Sequence, residues 1–304
     1  MKMKIKKVIK FFYYKLYEIL NYFYIVYIKN KNKLKNEISI SSNLDGETIL
    51  ILAPHIDDDI IGCGGAILRY LSENKDVYIV YLTNSGKQGS QPEKSKVVEE
   101  RKLEAINVAY ALNLKKEKLF FLNGEDGDLI NSKIDNELKN IINSVNPDTI
   151  FMPCFLDSHN DHFAVTKTLW NINNKNCNLF TNVNLYLYES QSPFTPLYSN
   201  VFLDITDIYK TKKMLLKFYI SQTSDFKFSY YISKINGYTF NNKTLCEAYI
   251  KTTFSNYFNL YTEHCGSFEN YLKIKNQIIP YGYSDTLIKS YNSSFKFKSI
   301  LKKL

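Results

Sequence analysis

The run Thr48-Ile-Leu-Ile-Leu-Ala53, the loop Pro54-His55-Ile56-Asp57-Asp58-Asp59 and the segment Ile60–Ser72, with Gly62, Gly64 and Gly65, decide how this chain folds. A short apolar run that stops at a proline reads as a buried strand. The segment after the loop is apolar at helical spacing. A buried strand, an acid-rich turn and a helix together open a βα unit.

The same alternation continues outward. Val77–Thr83 reads as a second strand, followed by a polar loop, Asn84–Lys94. Ser95–Leu112 has helical spacing, with Val98, Ala105, Ala109 and Leu112 as its apolar positions. Leu119–Leu122 is a third strand, Ile130–Val145 a helix and Thr149–Pro153 a fourth strand. Val183–Tyr188 and Val201–Ile205 read as later strands, and Asp207–Ser221 as a helix. Beyond it the pattern assigns nothing. The expected fold is α/β, a Rossmann-like, mostly parallel sheet flanked by helices. No internal repeat is present.

Two parts are expected: an N-terminal appendage, residues 1–44, and one domain, residues 45–304. The chain has 304 residues and a formal net charge of +9. Residues 1–36 hold ten lysines and one acid, Glu18, so this segment alone carries the excess. The remainder is balanced, which argues against a nucleic-acid groove on the main domain. Within the appendage, Phe12, Leu16, Leu20, Phe23 and Tyr27 recur at helical spacing. The apolar run approaches the roughly 17–25 residues that span a bilayer. Lys15, Glu18 and Asn21 interrupt it and favour lying in an anionic membrane surface over crossing one. Packing on the protein's own domain or on a second subunit is the alternative. The interruptions also make a poor secretory signal. Five cysteines without a CxxC pair argue against a disulfide framework or a thiolate zinc site. The expected location is the cytoplasm, peripheral at the inner face of the membrane.

Of four histidines, three sit in two short motifs, Pro54–Asp59 and His159-Asn160-Asp161-His162. Each motif follows a strand. In open α/β sheets, ligands bind in the crevice at the carboxyl ends of strands, so the topology can unite them. Two imidazoles and a carboxylate, with a fourth position left to water, suit catalytic zinc. His55 and Asp58 can reach one ion together, and His162 can complete the set. Asp57 would stay unligated, where a general base is needed. Gly62-Cys63-Gly64-Gly65 lacks both Rossmann nucleotide spacing and a P-loop lysine. Close packing of helix on strand explains those glycines better.

These residues resemble the PIG-L/LmbE-like N-acetylglucosaminyl deacetylase family. Its first motif reads His-Pro-Asp-Asp-Glu before a glycine-rich helix start; this chain has His55-Ile56-Asp57-Asp58-Asp59, then Gly62 to Gly65. Its second, His-x-Asp-His, stands at His159–His162. Arg101 and Glu104 match an Arg-x-x-Glu, and Asp126-Gly127 matches a turn after the third strand. Pro147-Asp148-Thr149-Ile150 matches the approach to the fourth strand, and Ser221-Gln222 and Glu247-Ala248 resemble later signatures. The resemblance covers about residues 46–255.

It implies a zinc-dependent hydrolase that removes the N-acetyl group from an N-acetylhexosamine conjugate, releasing acetate and a free amino sugar. It implies His55, Asp58 and His162 as ligands of one zinc ion per chain, another divalent metal being open, and Asp57 as general base. His159 would stabilise the oxyanion or protonate the departing amine, with Asp161 orienting it. Arg101 and Asp126 would contact the sugar. Ile56 replaces the family's proline and Asp59 its glutamate. Asp59 is one methylene shorter, so any hydrogen bond it makes must be rearranged. Competing readings are a hydrolase of another amide or acyl substrate and a degenerate, membrane-tethered sugar-binding protein. Arg101 paired with Glu104 across a helical turn is the bland reading of those two residues. The aglycone and oligomeric state are open.

Overall fold

The computed structural model describes residues 40–86, 94–176, 179–190, 192–194, 198–222, 226–238, 244–279, 297 and 299–304, with eight helical positions between residues 12 and 27. The strands are β1 (Ile40–Ser41), β2 (Thr48–Ala53), β3 (Asp76–Thr83), β4 (Leu119–Gly124), β5 (Thr149–Pro153), β6 (Asn184–Tyr188), β7 (Val201–Asp204) and β8 (Cys246–Thr253). They form one sheet in the order β1-β7-β8-β6-β5-β2-β3-β4. All pairings are parallel except those of β8, which runs antiparallel between β6 and β7.

The described helices are α1 (Asp58–Ser72), α2 (Lys94–Ala111), α3 (Asp135–Val145), α4 (Asn160–Lys175), α5 (Tyr209–Leu215), α6 (Lys227–Tyr238), α7 (Phe254–His264) and α8 (Phe268–Lys275). Strand alternation divides the core into two layers, because successive side chains point to opposite faces. Ile49, Ile51 and Ala53 pack with Ile60 and Ile67 of α1, Ala105 of α2 and Leu215 of α5. Leu50 and Leu52 pack on the other face with Leu138 of α3, Leu169 of α4, Tyr257 of α7 and Tyr271 of α8. With both faces covered, β2 carries no exposed residue.

The glycines of α1 do what close packing requires. A Cβ on Gly62 would lie 2.3 Å from the Tyr188 ring, and one on Gly65 2.3 Å from Ile205 Cγ2. The approach lets Glu247 of β8 reach into the helix. Its carboxylate accepts from the Gly65 N–H at 2.6 Å and the Ala66 N–H at 2.9 Å. Lys212 donates to Glu247 at 2.7 Å and to the Ile61 carbonyl at 2.8 Å. Acid and base are both buried, so each neutralises the other.

From β2 the chain winds outward through β3 and β4, then returns to β5 on β2's other side. The β2–β5 boundary is therefore the topological switch point where a ligand crevice opens. Both histidine motifs sit there, one after β2 and one after β5.

Several elements differ from expectation. The α3 segment begins at Asp135, because residues 129–131 form a 3-10 turn whose Leu129 N–H is bound by Asp161. The helix expected over Asp207–Ser221 is α5 followed by a 3-10 turn, Leu216–Phe218. The chain leaves the helix there and delivers Tyr219 and Ser221 to the site described below. Strand β8 had no sequence assignment. β1 lies inside the stretch read as an appendage and pairs with β7. No helix among the described residues is long and apolar enough to cross a membrane. Cys63, Cys154, Cys246 and Cys265 are buried free thiols.

Candidate active site

The loop between β2 and α1 presents His55 and Asp57, and the first residue of α1 presents Asp58, at the switch point. Asp58 Oδ2 lies 3.0 Å from His55 Nδ1 and 3.3 Å from His162 Nε2. It also accepts from the His55 backbone N–H at 3.0 Å, and Ser190 at the end of β6 donates to Asp58 Oδ1. The Asp58 carboxyl is held well below the usual range. Burial opposes its charge, but His162 and His55 outweigh it.

His162 lies in the first turn of α4, fully buried. Its Nδ1 is 3.3 Å from Asp157 Oδ2. Burial opposes its charge, yet Asp157 and Asp58 push the ring up to about 10. Neither ring nitrogen makes a well-formed hydrogen bond. Buried polar atoms are normally satisfied, so these two need another partner. Ligand atoms of His55, His159 and His162, and those of His55, Asp126 and Asp161, lie within 4.8 Å of one another, so either group could hold a divalent metal ion, with Asp58 in contact with His55 and His162 and Asp157 behind His162.

Asp57, the N-cap of α1, has φ 139° and ψ −26°, a backbone conformation that L-residues rarely adopt. Its carboxylate accepts no hydrogen bond from a described residue. Burial, then the adjacent Asp58, raises its pKa well above the usual range, while His55 and Arg101 pull it down. Asp59 is spent differently. Tyr81 and Tyr219 donate to its two oxygens at 2.8 and 3.0 Å. Burial pushes this carboxyl up to about 6 against those hydrogen bonds. The two phenols thus accommodate the shorter side chain.

His159 caps α4. Its Nδ1 accepts from the Asp161 N–H at 3.2 Å, and the His159 backbone N–H donates to Asp157 Oδ1 at 3.0 Å. Burial, then His55 and His162, push its ring down to about 3. A neutral ring accepting at Nδ1 carries its proton on Nε2. The Asp161 carboxylate lies 3.8 Å from this ring's Nδ1 and makes its hydrogen bonds elsewhere. It accepts from His55 Nε2 at 2.9 Å, Gly127 N–H at 2.7 Å and Leu129 N–H at 3.1 Å. Asp161 therefore meets His159 through its backbone N–H and, at longer range, its carboxylate, and holds His55 through its side chain. Asp126 Oδ1 lies 3.5 Å from His55 Nε2, which brings the β4 turn into the cluster.

Arg101 is buried on α2, and its Nε and Nη2 have no hydrogen-bond partner. The helical pair with Glu104 does not form, because Glu104 binds the Ser221 N–H at 2.6 Å and the Ser221 hydroxyl at 2.8 Å. A buried guanidinium with orphaned donors beside Asp57 is a ready contact for a hydroxyl-rich ligand.

The structure thus brings together His55, Asp57, Asp58, Asp126, His159, Asp161 and His162, with Arg101 beside them. Asp157 and Ser190 were not foreseen. Asp157, two residues before His159, had one available signal: metal-binding histidines commonly hand their second nitrogen to a carboxylate. Ser190 carried none.

Residues 50–173 match the family model of PIG-L, GlcNAc-PI de-N-acetylase. The N,N'-diacetylchitobiose deacetylase of Pyrococcus horikoshii is 23% identical, covering 70% of this chain and 86% of its own, with a TM-score of 0.59. A conserved protein of Thermus thermophilus is 22% identical, covering 67% of this chain and 93% of its own, with a TM-score of 0.55. The 4-carboxy-2-hydroxymuconate hydratase of Pseudomonas putida is 17% identical, covering 67% of this chain and 95% of its own, with a TM-score of 0.56. No curated protein matches. A deacetylase and a hydratase on one fold mean that the fold alone does not choose the reaction. The family match does, and it spans both histidine motifs: over residues 50–173 the chain carries a hydrolase domain of the PIG-L family, the GlcNAc-PI de-N-acetylase type.

Proposed function

We propose that this protein removes the N-acetyl group from an N-acetylhexosamine conjugate in the cytoplasm, using one zinc ion. The observation that carries the reading is the meeting of His55 Nδ1 and His162 Nε2 on Asp58 Oδ2, beside the unengaged carboxylate of Asp57. His55, Asp58 and His162 would hold the ion, which when bound supplies Lewis acidity toward a water and the acetyl carbonyl. Zinc is favoured by the nitrogen-and-carboxylate donor set.

The chain's own residues do the rest. Arg101 and Asp126 bind and orient the sugar hydroxyls. Asp57 accepts the proton that water loses as its oxygen bonds to the acetyl carbon. His159 donates from Nε2 to the carbonyl oxygen as it gains negative charge. The C–N bond then breaks, Asp57 returns its proton to the sugar nitrogen, and acetate and a free amine leave. Asp161 fixes His55 and the 127–129 turn throughout. The test is acetate release from an N-acetylglucosamine glycoside by the zinc-loaded protein. Chelator-sensitive release is expected, and a protein that holds zinc but releases nothing would overturn the reading.

We further infer that the basic N-terminal segment of the two-part chain lies on an anionic lipid surface. Phe12, Leu16, Ile19, Leu20, Phe23 and Tyr27 are exposed helical positions at three- and four-residue spacing, with Phe12 66% and Phe23 63% exposed. Nine flanking lysines, with Lys15 inside the run, supply attraction to anionic headgroups.

A further inference from the structure

The chain leaving β6 touches both histidine motifs. Ser190 donates to Asp58 Oδ1 in the first. Ser192 accepts from the Ser158 N–H at 3.2 Å and donates to the Ser158 hydroxyl at 3.1 Å. Ser158 stands between Asp157 and His159, so this contact reaches the second motif. Both Ser190 and Ser192 are buried.

One side chain fixes the segment that carries them. Glu189 is buried, and its Oε1 accepts from the Phe194 N–H at 2.5 Å, a bond that brackets the two serines. Its Oε2 accepts from Asn236 Nδ2 at 3.0 Å. Asn236 is buried on α6, one residue before Gly237. A Cβ on Gly237 would run into the Thr244 carbonyl oxygen, so the end of α6 is seated against the chain entering β8. The link therefore runs from a firmly seated helix, through a carboxylate, to both serines.

Glu189 and Asn236 stand apart from any substrate. The cavity that they line with Ser190 is about 20 Å³, room for a water and not for a sugar. A carboxylate taken out of water is costly unless its oxygens accept hydrogen bonds. Here one oxygen is bonded to the segment and the other to the helix, so satisfying the charge also fixes the geometry.

We infer that Glu189, held by Asn236, is a positioning residue that sets the two histidine motifs against each other. Through Ser190 it orients Asp58, and through Ser192 it holds the stretch from Asp157 to His159. The inference rests on the de-N-acetylase reading, in which Asp58 holds zinc and His159 meets the acetyl group.

Two variants of the full-length protein test it. Glu189→Met keeps the length of the side chain and removes both acceptors. Glu189→Gln keeps an acceptor for Phe194 and meets Asn236 once that amide turns over. Zinc affinity is read by competition with a chromophoric chelator, and kcat and KM by acetate release from an N-acetylglucosamine glycoside at saturating zinc. The methionine variant is expected to bind zinc about tenfold more weakly, as when the outer support of a ligand is lost. Its kcat should fall about tenfold with KM nearly unchanged, the pattern of lost alignment rather than lost binding. The glutamine variant should restore both. Adding Ser190→Ala to Glu189→Met should weaken zinc little further, whereas independent effects would multiply. Should the methionine variant not fold, Asn236→Leu breaks the same link from the helix side and takes its place. An unchanged zinc affinity or kcat, multiplied losses, or a glutamine variant as impaired as the methionine one would overturn the inference and leave the de-N-acetylase reading intact. If the wild type binds zinc but releases no acetate, that reading fails instead, and the zinc affinities alone judge Glu189. A wild type that binds no zinc overturns both.

Discussion

Replacing Asp57 with glycine should make the protein more stable and nearly inactive. A non-glycine residue held in a sparsely populated backbone region costs about 1–3 kcal/mol. Asp57, at φ 139°, is such a residue. Glycine removes the strain but gives back about 0.5–1 kcal/mol through the greater freedom of the unfolded chain. The substitution also deletes a carboxylate buried beside Asp58 and Asp59. Asp57→Asn controls for that charge while keeping a side chain at the strained position. The glycine variant should therefore exceed the asparagine variant by about 1 kcal/mol, or about 2–4 °C in Tm for a domain near this size. Thermal unfolding should be followed without metal, since binding would add its own stabilisation. Both variants should lose about 10²–10⁴-fold in acetate release if Asp57 is the base. A glycine variant no more stable than the asparagine one would refute the strain argument. Near wild-type turnover in either would refute the role of Asp57.

Other consequences follow from the same contacts. Glu247→Ala leaves the Lys212 ammonium buried without its partner and removes the acceptor of the Gly65 and Ala66 N–H groups. Loss of one member of a buried pair should cost about 3–5 kcal/mol in urea unfolding, and a loss below 1 kcal/mol would contradict the pairing. Asp157→Asn should weaken metal affinity about 10–100-fold, as for other outer carboxylates behind a ligating histidine. Competition with a chromophoric chelator measures this, and unchanged affinity would remove Asp157 from the metal's support. Deleting residues 1–36, which spares β1, should abolish sedimentation with anionic vesicles at low salt while leaving neutral vesicles unaffected; retained binding would contradict the lipid-surface reading.

How far the sequence could be read depended on where its periodicity was clean. β2 and β3 carry apolar residues on both faces, so their runs marked them at once. Cys246–Thr253 escaped because its second residue, Glu247, is a carboxylate, whose burial is made tolerable by the distant Lys212 and the Gly65 and Ala66 N–H groups. Nothing local announces such a pairing. The Asp207–Ser221 segment has helical character throughout, but Tyr219 is drawn to Asp59 and Ser221 to Glu104, and those contacts override propensity. In the site, His55, Asp58 and His162 stood in compact motifs after strands, so sheet topology sufficed to unite them. The Asp161 carboxylate was harder to place, since His159 is only two residues away in sequence while its partner His55 lies across the switch point. Arg101 and Glu104 invited a local pair that Ser221 prevents.

The most direct test of the account is the reaction run in ¹⁸O-labelled water with zinc-loaded protein and an N-acetylglucosamine glycoside, with acetate and free amine both quantified. Hydrolysis of the amide by water predicts equal amounts of the two products, one labelled oxygen in each acetate and none gained by the sugar, all lost on chelation. A glycoside recovered with its acetyl group intact or hydrated, or acetate without label, would contradict it.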